Sequence, residues 1–143
     1  MILTTLTTLW LIAARPQHVS ADAIAQTTCI TVAVYTEAEG EPYLGKLAVA
    51  AVVRERARRS QTTPCAVITA RHQFSGLGRR VGRIHLGALL DSLGAAHASA
   101  AVHAPVPECA GATHFDNRSR AAWTRKFRVL CSIQNHTFYR DNT

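Results

Sequence analysis

The chain has 143 residues, enough for one hydrophobic core and too few for two of useful size. Apolar residues make up 48% of it, which excludes a disordered or low-complexity protein. Sixteen Lys and Arg against nine Asp and Glu give a net charge of +7, so the partner to expect is a polyanion: nucleic acid, anionic lipid or bacterial wall polymer.

Ile2 to Ala14 is an apolar run broken by Thr4, Thr5, Thr7 and Thr8 and too short to span a bilayer comfortably. Small-residue sites follow at Ala21-Asp22-Ala23 and Ala23-Ile24-Ala25. Residues 1–25 therefore read as a signal peptide. Because no Lys or Arg precedes the apolar run, a weak membrane anchor and an ordinary first helix stand as alternatives. Export would place the remaining 26–143 in the periplasm, outside the cell or at the wall, with transient membrane contact through the N-terminal segment. Cys29, Cys65, Cys109 and Cys131 all follow the leader, and none forms a CxxC pair. An even count in an exported domain points to two disulfides, with three connectivities open. Pairing Cys29–Cys65 and Cys109–Cys131 would staple the two halves separately, and buried thiols are the alternative.

From Thr27 to Ala38, the spacing of Ile30, Ala33, Val34 and Glu37 predicts a helix that carries Glu37 on its apolar face. Gly40 and Pro42 end it, leaving Glu39 and Glu41 on other faces. Leu44, Leu47, Ala48, Ala51 and Val52 then repeat at helical spacing, with Val49 and Val53 beside them, predicting a helix buried through the middle of the domain. It emerges in the basic run Arg54 to Arg59. Thr62, Thr63 and Pro64 suit the cap and first turn of a short helix through Cys65 to Ala70. Residues 71–83, rich in Arg and Gly, read as a basic loop beside a cleft or as plain solvated surface. Leu86, Leu89, Leu90 and Leu93 begin another helical stripe, weakened at Gly94 and stopped by Pro105 and Pro107. Short strands are expected around Gly111–Phe115, Phe127–Leu130 and Phe138–Tyr139. The fold class is thus α+β, mainly α: one domain with a small β-hairpin or sheet. No HExxH or similar spacing is present, so neither metal nor cofactor is expected, and His72, His85, His97 and His103 read as surface or packed histidines.

Five blocks in order carry a resemblance. They are Glu37-Ala38-Glu39-Gly40-Glu41 running into Gly45-Lys46-Leu47-Ala48-Val49-Ala50 and Arg56, then Cys65-Ala66-Val67-Ile68, Gln73-Phe74-Ser75, Ala112-Thr113-His114-Phe115 with Trp123, and His136-Thr137-Phe138-Tyr139-Arg140. Together they resemble the SleB-type cell-wall hydrolases, the spore-cortex-lytic enzymes, over nearly the whole chain after the leader. Three positions depart from that pattern: Glu39 replaces an arginine, Glu55 an asparagine, and Gly76 the tryptophan that commonly follows the QFS block. The resemblance implies a lysozyme-like fold, peptidoglycan as substrate, and cleavage between N-acetylmuramic acid and N-acetylglucosamine by lytic transglycosylation.

Such a reaction needs a proton donor for the leaving oxygen, and a glutamate on an apolar helix face can hold that proton because desolvation favours the neutral acid. Glu37 is the candidate general acid and base, while Glu39 is expected to be exposed and Glu41 to make a structural contact. A retaining hydrolase would need a second carboxylate, for which Asp91 and Asp116 are the candidates. Ser75, Thr113 and Tyr139 are candidates to hydrogen-bond the sugar or orient Glu37. Gln73, Phe74, Phe115 and Trp123 would line its groove, with His114 in the same substrate-binding set; packing is the alternative for each. Two rival functions remain, an N-acetylmuramoyl-L-alanine amidase and a non-catalytic basic wall-binding module. Nucleic acid is not an expected partner, since only the 71–83 loop approaches the required interleaving of basic and aromatic residues. A monomer is expected, acting as a wall-remodelling enzyme or as an endolysin.

Overall fold

A computed structural model of the chain describes residues 19–71, 73–74, 76, 82–102, 104–117 and 121–142. The predicted residues Ser75, His72 and His103, and most of the basic 71–83 loop, lie outside them. Four helices come first: α1 (Ala21–Ala38), α2 (Tyr43–Arg59), α3 (Pro64–Thr69) and α4 (Leu86–Ala101). Three strands follow, β1 (His114–Asp116), β2 (Arg128–Ile133) and β3 (His136–Arg140), with short 3-10 turns at Pro107–Cys109 and Ala122–Lys126. The architecture is α+β and mainly α, as expected.

Side-chain caps begin two of the helices. Ser20 accepts from the Ala23 amide at 3.1 Å to begin α1, so Ala21 to Ala25 lie within that helix. Thr63 accepts from the Ala66 amide at 3.2 Å, with Pro64 in the first turn of α3. Among the described residues no helix is long and apolar enough to cross a membrane.

Helix α2 is the centre of the domain. Gly45 to Ala50, Val52, Val53 and Ala57 are all buried, so it is enclosed on nearly every side by α1, α3, α4 and the sheet. Each fully buried valine there contributes about 1.5–3 kcal/mol relative to exposure. Leu44 departs from the expected stripe. At 49% exposed it lies in the first turn, where the helix has not yet entered the core.

The leucine stripe of α4 is also corrected: Leu86, Leu90 and Leu93 are exposed, while Ser92, Ala95, Ala96 and Ser99 face inward. Their small side chains let the α4 backbone approach α1 and α2 closely, and the Ser92 and Ser99 hydroxyls are satisfied by the Ala88 and Ala96 carbonyls. Gly94 does not interrupt the helix. It packs beside the Tyr43 ring.

The sheet is antiparallel in the order β1-β3-β2, with an irregularity between Val129 and Cys131. Gln134 turns the β2–β3 hairpin with φ 48°. Phe138, fully buried in β3, anchors the sheet to the helices. Both pairings that staple the halves separately are present: Cys29–Cys65, with Cα atoms 5.2 Å apart, ties α1 to α3, and Cys109–Cys131, at 5.3 Å, ties the Pro107–Cys109 turn to β2.

Candidate active site

Where α1 ends, its inward face passes from core to a cleft of about 610 Å³. Ile30, Ala33 and Val34 are buried, and Glu37, one turn further along the same face, is half-buried at the cleft wall. The Gly76 amide donates to Glu37 Oε1 at 2.8 Å. Gly76 is essential to that contact, since a Cβ there would lie 2.8 Å from both Glu37 Oε1 and Thr36 Cβ. The glycine that departs from the resembled pattern thus lets its backbone amide approach the carboxylate closely.

Gln73, His114, Phe115, Asp116, Trp123 and His136 line the same cleft, together with Arg56 of α2. Of the sequence candidates, Gln73, His114, Phe115 and Trp123 thus share the cleft with Glu37. Phe74, Thr113 and Tyr139 do not line it. Phe74 is buried, 6.4 Å from the Phe115 ring, with the Arg56 guanidinium 5.6 Å above its own ring centroid. Thr113 is buried too; its hydroxyl meets His114 Nδ1 at 2.9 Å and accepts from the Asp141 amide at 3.3 Å. Tyr139 packs edge-on against Trp123 and borders another groove with Phe127 and Val129.

Asp116, Arg56 and His136 belong to the cleft as much as the predicted set does. His136 could have been found as the first residue of the HTFYR block, alternating with Phe138 in β3, but its direction depended on the sheet. Its Nδ1 is buried without a hydrogen-bond partner among the described residues. Burial holds the His136 imidazole below its usual pKa, against the opposing pull of Glu41, Glu37 and Asp116. His114 is lowered as well, by burial first and then by the Arg56 charge. It is stacked on Phe127 with ring centroids 4.3 Å apart. Asp91, the other candidate carboxylate, is exposed on α4 and is not part of the cleft.

Glu39 and Glu41 serve the junction between helices. Glu39 accepts from the Tyr35 hydroxyl at 3.1 Å, and that hydroxyl in turn accepts from the His85 amide at 3.0 Å. Glu41 is buried and accepts from the Asn135 amide at 3.2 Å and from Asn135 Nδ2 at 2.9 Å, so it holds the β2–β3 turn. Lys46, also buried, donates to the Glu39 carbonyl at 2.9 Å and to the Glu41 carbonyl. Together these contacts fix the bend that aims Glu37 into the cleft.

The sequence model of the family described as Cell Wall Hydrolase matches residues 40–139, well over half of the chain. The chain belongs to the cell-wall hydrolase family. The matched span of this hydrolase begins three residues after Glu37 and includes the other cleft residues except Thr36. Two solved structures share its fold. The catalytic domain of the Bacillus cereus SleB protein superposes with a TM-score of 0.62 at 24% identity, covering 87% of this chain and 94% of that one. The catalytic domain of the germination-specific lytic transglycosylase SleB from Bacillus anthracis gives 0.63 at 25% identity, covering 88% and 100%. No curated protein matches the hydrolase in sequence. It is a SleB-type cell-wall hydrolase, a peptidoglycan-degrading enzyme by family.

Proposed function

We propose that the hydrolase cleaves the glycan strand of peptidoglycan between N-acetylmuramic acid and N-acetylglucosamine as a lytic transglycosylase, with Glu37 as its acid and base. The observation that carries this reading is the half-buried Glu37, held by the Gly76 amide at the wall of a cleft rimmed by Trp123 and Phe115. Aromatic faces suit sugar rings, and the half-exposed Trp123 is placed for such stacking. Glu37 gives its proton to the glycosidic oxygen as the bond to the muramic anomeric carbon breaks. The sugar's own N-acetyl group stabilises the resulting cation. Glu37, now a carboxylate, takes the proton of the 6-hydroxyl, whose oxygen closes onto the anomeric carbon. No second carboxylate is required. We place the enzyme outside the cytoplasm at the wall, acting as a monomer, and two disulfides support that compartment.

Asp116 favours a second reading, because it lines the same cleft as Glu37 and simple hydrolysis requires a second carboxylate to activate water. Mass analysis of digested wall separates the two. Transglycosylation gives 1,6-anhydromuramic ends, one water lighter than hydrolytic products, and persists in Asp116→Asn and in chelator. Glu37→Gln should fold and bind wall yet release almost nothing, whereas Glu39→Gln stays active. Reducing muramic ends alone, or intact glycan with freed stem peptides, would reject the proposal.

A further inference from the structure

Helix α2 lines a second cavity with another of its faces. Arg56 lines the cleft, while Ala51, Arg54, Glu55 and Arg58, spaced three and four apart, line a different cavity of about 510 Å³ that shares none of the described residues with the first. Its charge is unbalanced: among the described residues Arg54, Arg58 and Arg140 stand against Glu55 alone. That glutamate is already committed, since Arg58 donates to it twice, at 2.9 and 2.7 Å, and Arg59 once, at 2.9 Å.

Arg54 is half-buried, and among the described residues no carboxylate pairs with it. Its Nε donates to Ser99 Oγ at 2.7 Å and one terminal nitrogen to the Ala96 carbonyl at 3.1 Å. These neutral contacts fix the plane of the guanidinium and leave its positive charge without a counter-ion, the condition under which an anion is drawn into a partly desolvated site. Arg140 lines the same cavity beside Gly111, whose φ of +78° suits glycine and shapes the loop there. The remaining wall is apolar and small-featured: Ala100, Val102, Pro105 and Val106.

We propose that this cavity binds a short peptide ending in a free carboxylate, with the carboxylate between Arg54 and Arg140 and small side chains on the Ala100–Val106 wall. The committed Glu55 on the rim disfavours a doubly charged phosphate, and the apolar wall has no use for one. A volume of about 510 Å³ accommodates a dipeptide end. The assignment rests on peptidoglycan as substrate: its stem peptides carry small residues and free carboxylates. Because the cavity and the cleft open on different faces of α2, the bound stem would belong to another strand than the one being cut. It would hold the enzyme on the mesh between cleavages.

The test is a nuclear magnetic resonance titration of the wild-type chain with N-acetyl-D-alanyl-D-alanine, its C-terminal amide, and inorganic phosphate. The acid should shift the Arg54 Nε and Gly111 amide signals saturably, and the amide should bind at least tenfold more weakly. Arg140→Ala, at an exposed position, should weaken binding about tenfold with an unchanged melting temperature; Arg54→Gln should do the same if it folds. Equal binding of acid and amide, no effect of Arg140→Ala, shifts confined to the Glu37 cleft, or binding of phosphate without the peptide would each overturn the assignment. Glycan release from purified wall is read separately. Normal release without probe binding removes only this site, and probe binding without release removes only the proposed reaction.

Discussion

Gly76 shows how one atom's absence organises the cleft. Its amide reaches Glu37 Oε1 only because no Cβ intervenes, and the atoms such a Cβ would strike belong to Thr36 and to Glu37 itself. Gly76→Ala should therefore displace the carboxylate by several tenths of an ångström while leaving the core intact. With Glu37 as the proposed acid and base, a misplacement of that order is expected to cost roughly tenfold or more in kcat. Wall-release kinetics beside a melting curve check this: an alanine variant as active as the wild type would mean that the amide contact does not position Glu37. The sequence showed Gly76 as a departure from the resembled pattern, but its packing on Glu37 depends on two segments 39 residues apart.

At the level of elements, the α1–α2 bend and the β2–β3 hairpin are one unit joined through Glu41. Both carboxylate oxygens of this buried residue accept from Asn135, and Gly45 lies so close that its Cβ would be 3.1 Å from that of Glu41. Glu41→Ala should cost about 1.5–3 kcal/mol, since it removes two hydrogen bonds that the exposed Asn135 makes to a charged group. Hydrogen exchange should show the loss concentrated in the Gln134–Asn135 turn. If exchange there is unchanged, Glu41 is not what docks the hairpin. The structural contact anticipated for Glu41 is present, although its partner, Asn135, carries no signal in sequence. Helix α4 teaches the reverse lesson. Its leucine stripe is the stronger hydrophobic signal, yet the small-residue face is buried, because close approach to two neighbouring helices selected shape over hydrophobicity.

Two properties belong to the whole molecule. The disulfides close loops with sequence separations of 36 and 22, each worth about 3–4 kcal/mol by the chain-entropy estimate. Reduction should lower the melting temperature by more than about 10 °C. Titration of the denatured, unreduced protein should find no free thiol; four would contradict the pairing. Acid is the second lever. His114 and His136 are both lowered from 6.5 in the folded state, so as pH falls below 6.5 the unfolded chain binds protons that the folded one resists, and stability declines. Glu55, lowered from 4.5 to about 2 first by its Arg58 hydrogen bond, adds a further loss as pH falls from 4.5 toward 2. Melting temperature should thus drop in two stages on acidification. A flat profile between pH 7 and 5 would mean that neither imidazole is held neutral by burial.

Helical period, capping residues and ordered motif blocks determined the α+β class, the succession of helices before strands, the resemblance to wall hydrolases and the choice of Glu37. All are local, because a 3.6-residue repeat or a Thr-Pro cap acts within a few positions. Tertiary structure alone decided which face of α4 is inside, which aromatic residues reach the cleft and which sit behind it, that Asp116 and His136 share the cleft with Glu37, and that Arg54 and Arg140 line a second cavity. Each of those outcomes depends on the packing of chain segments far apart in sequence, where burial and close approach, rather than residue type, select which side chain meets which.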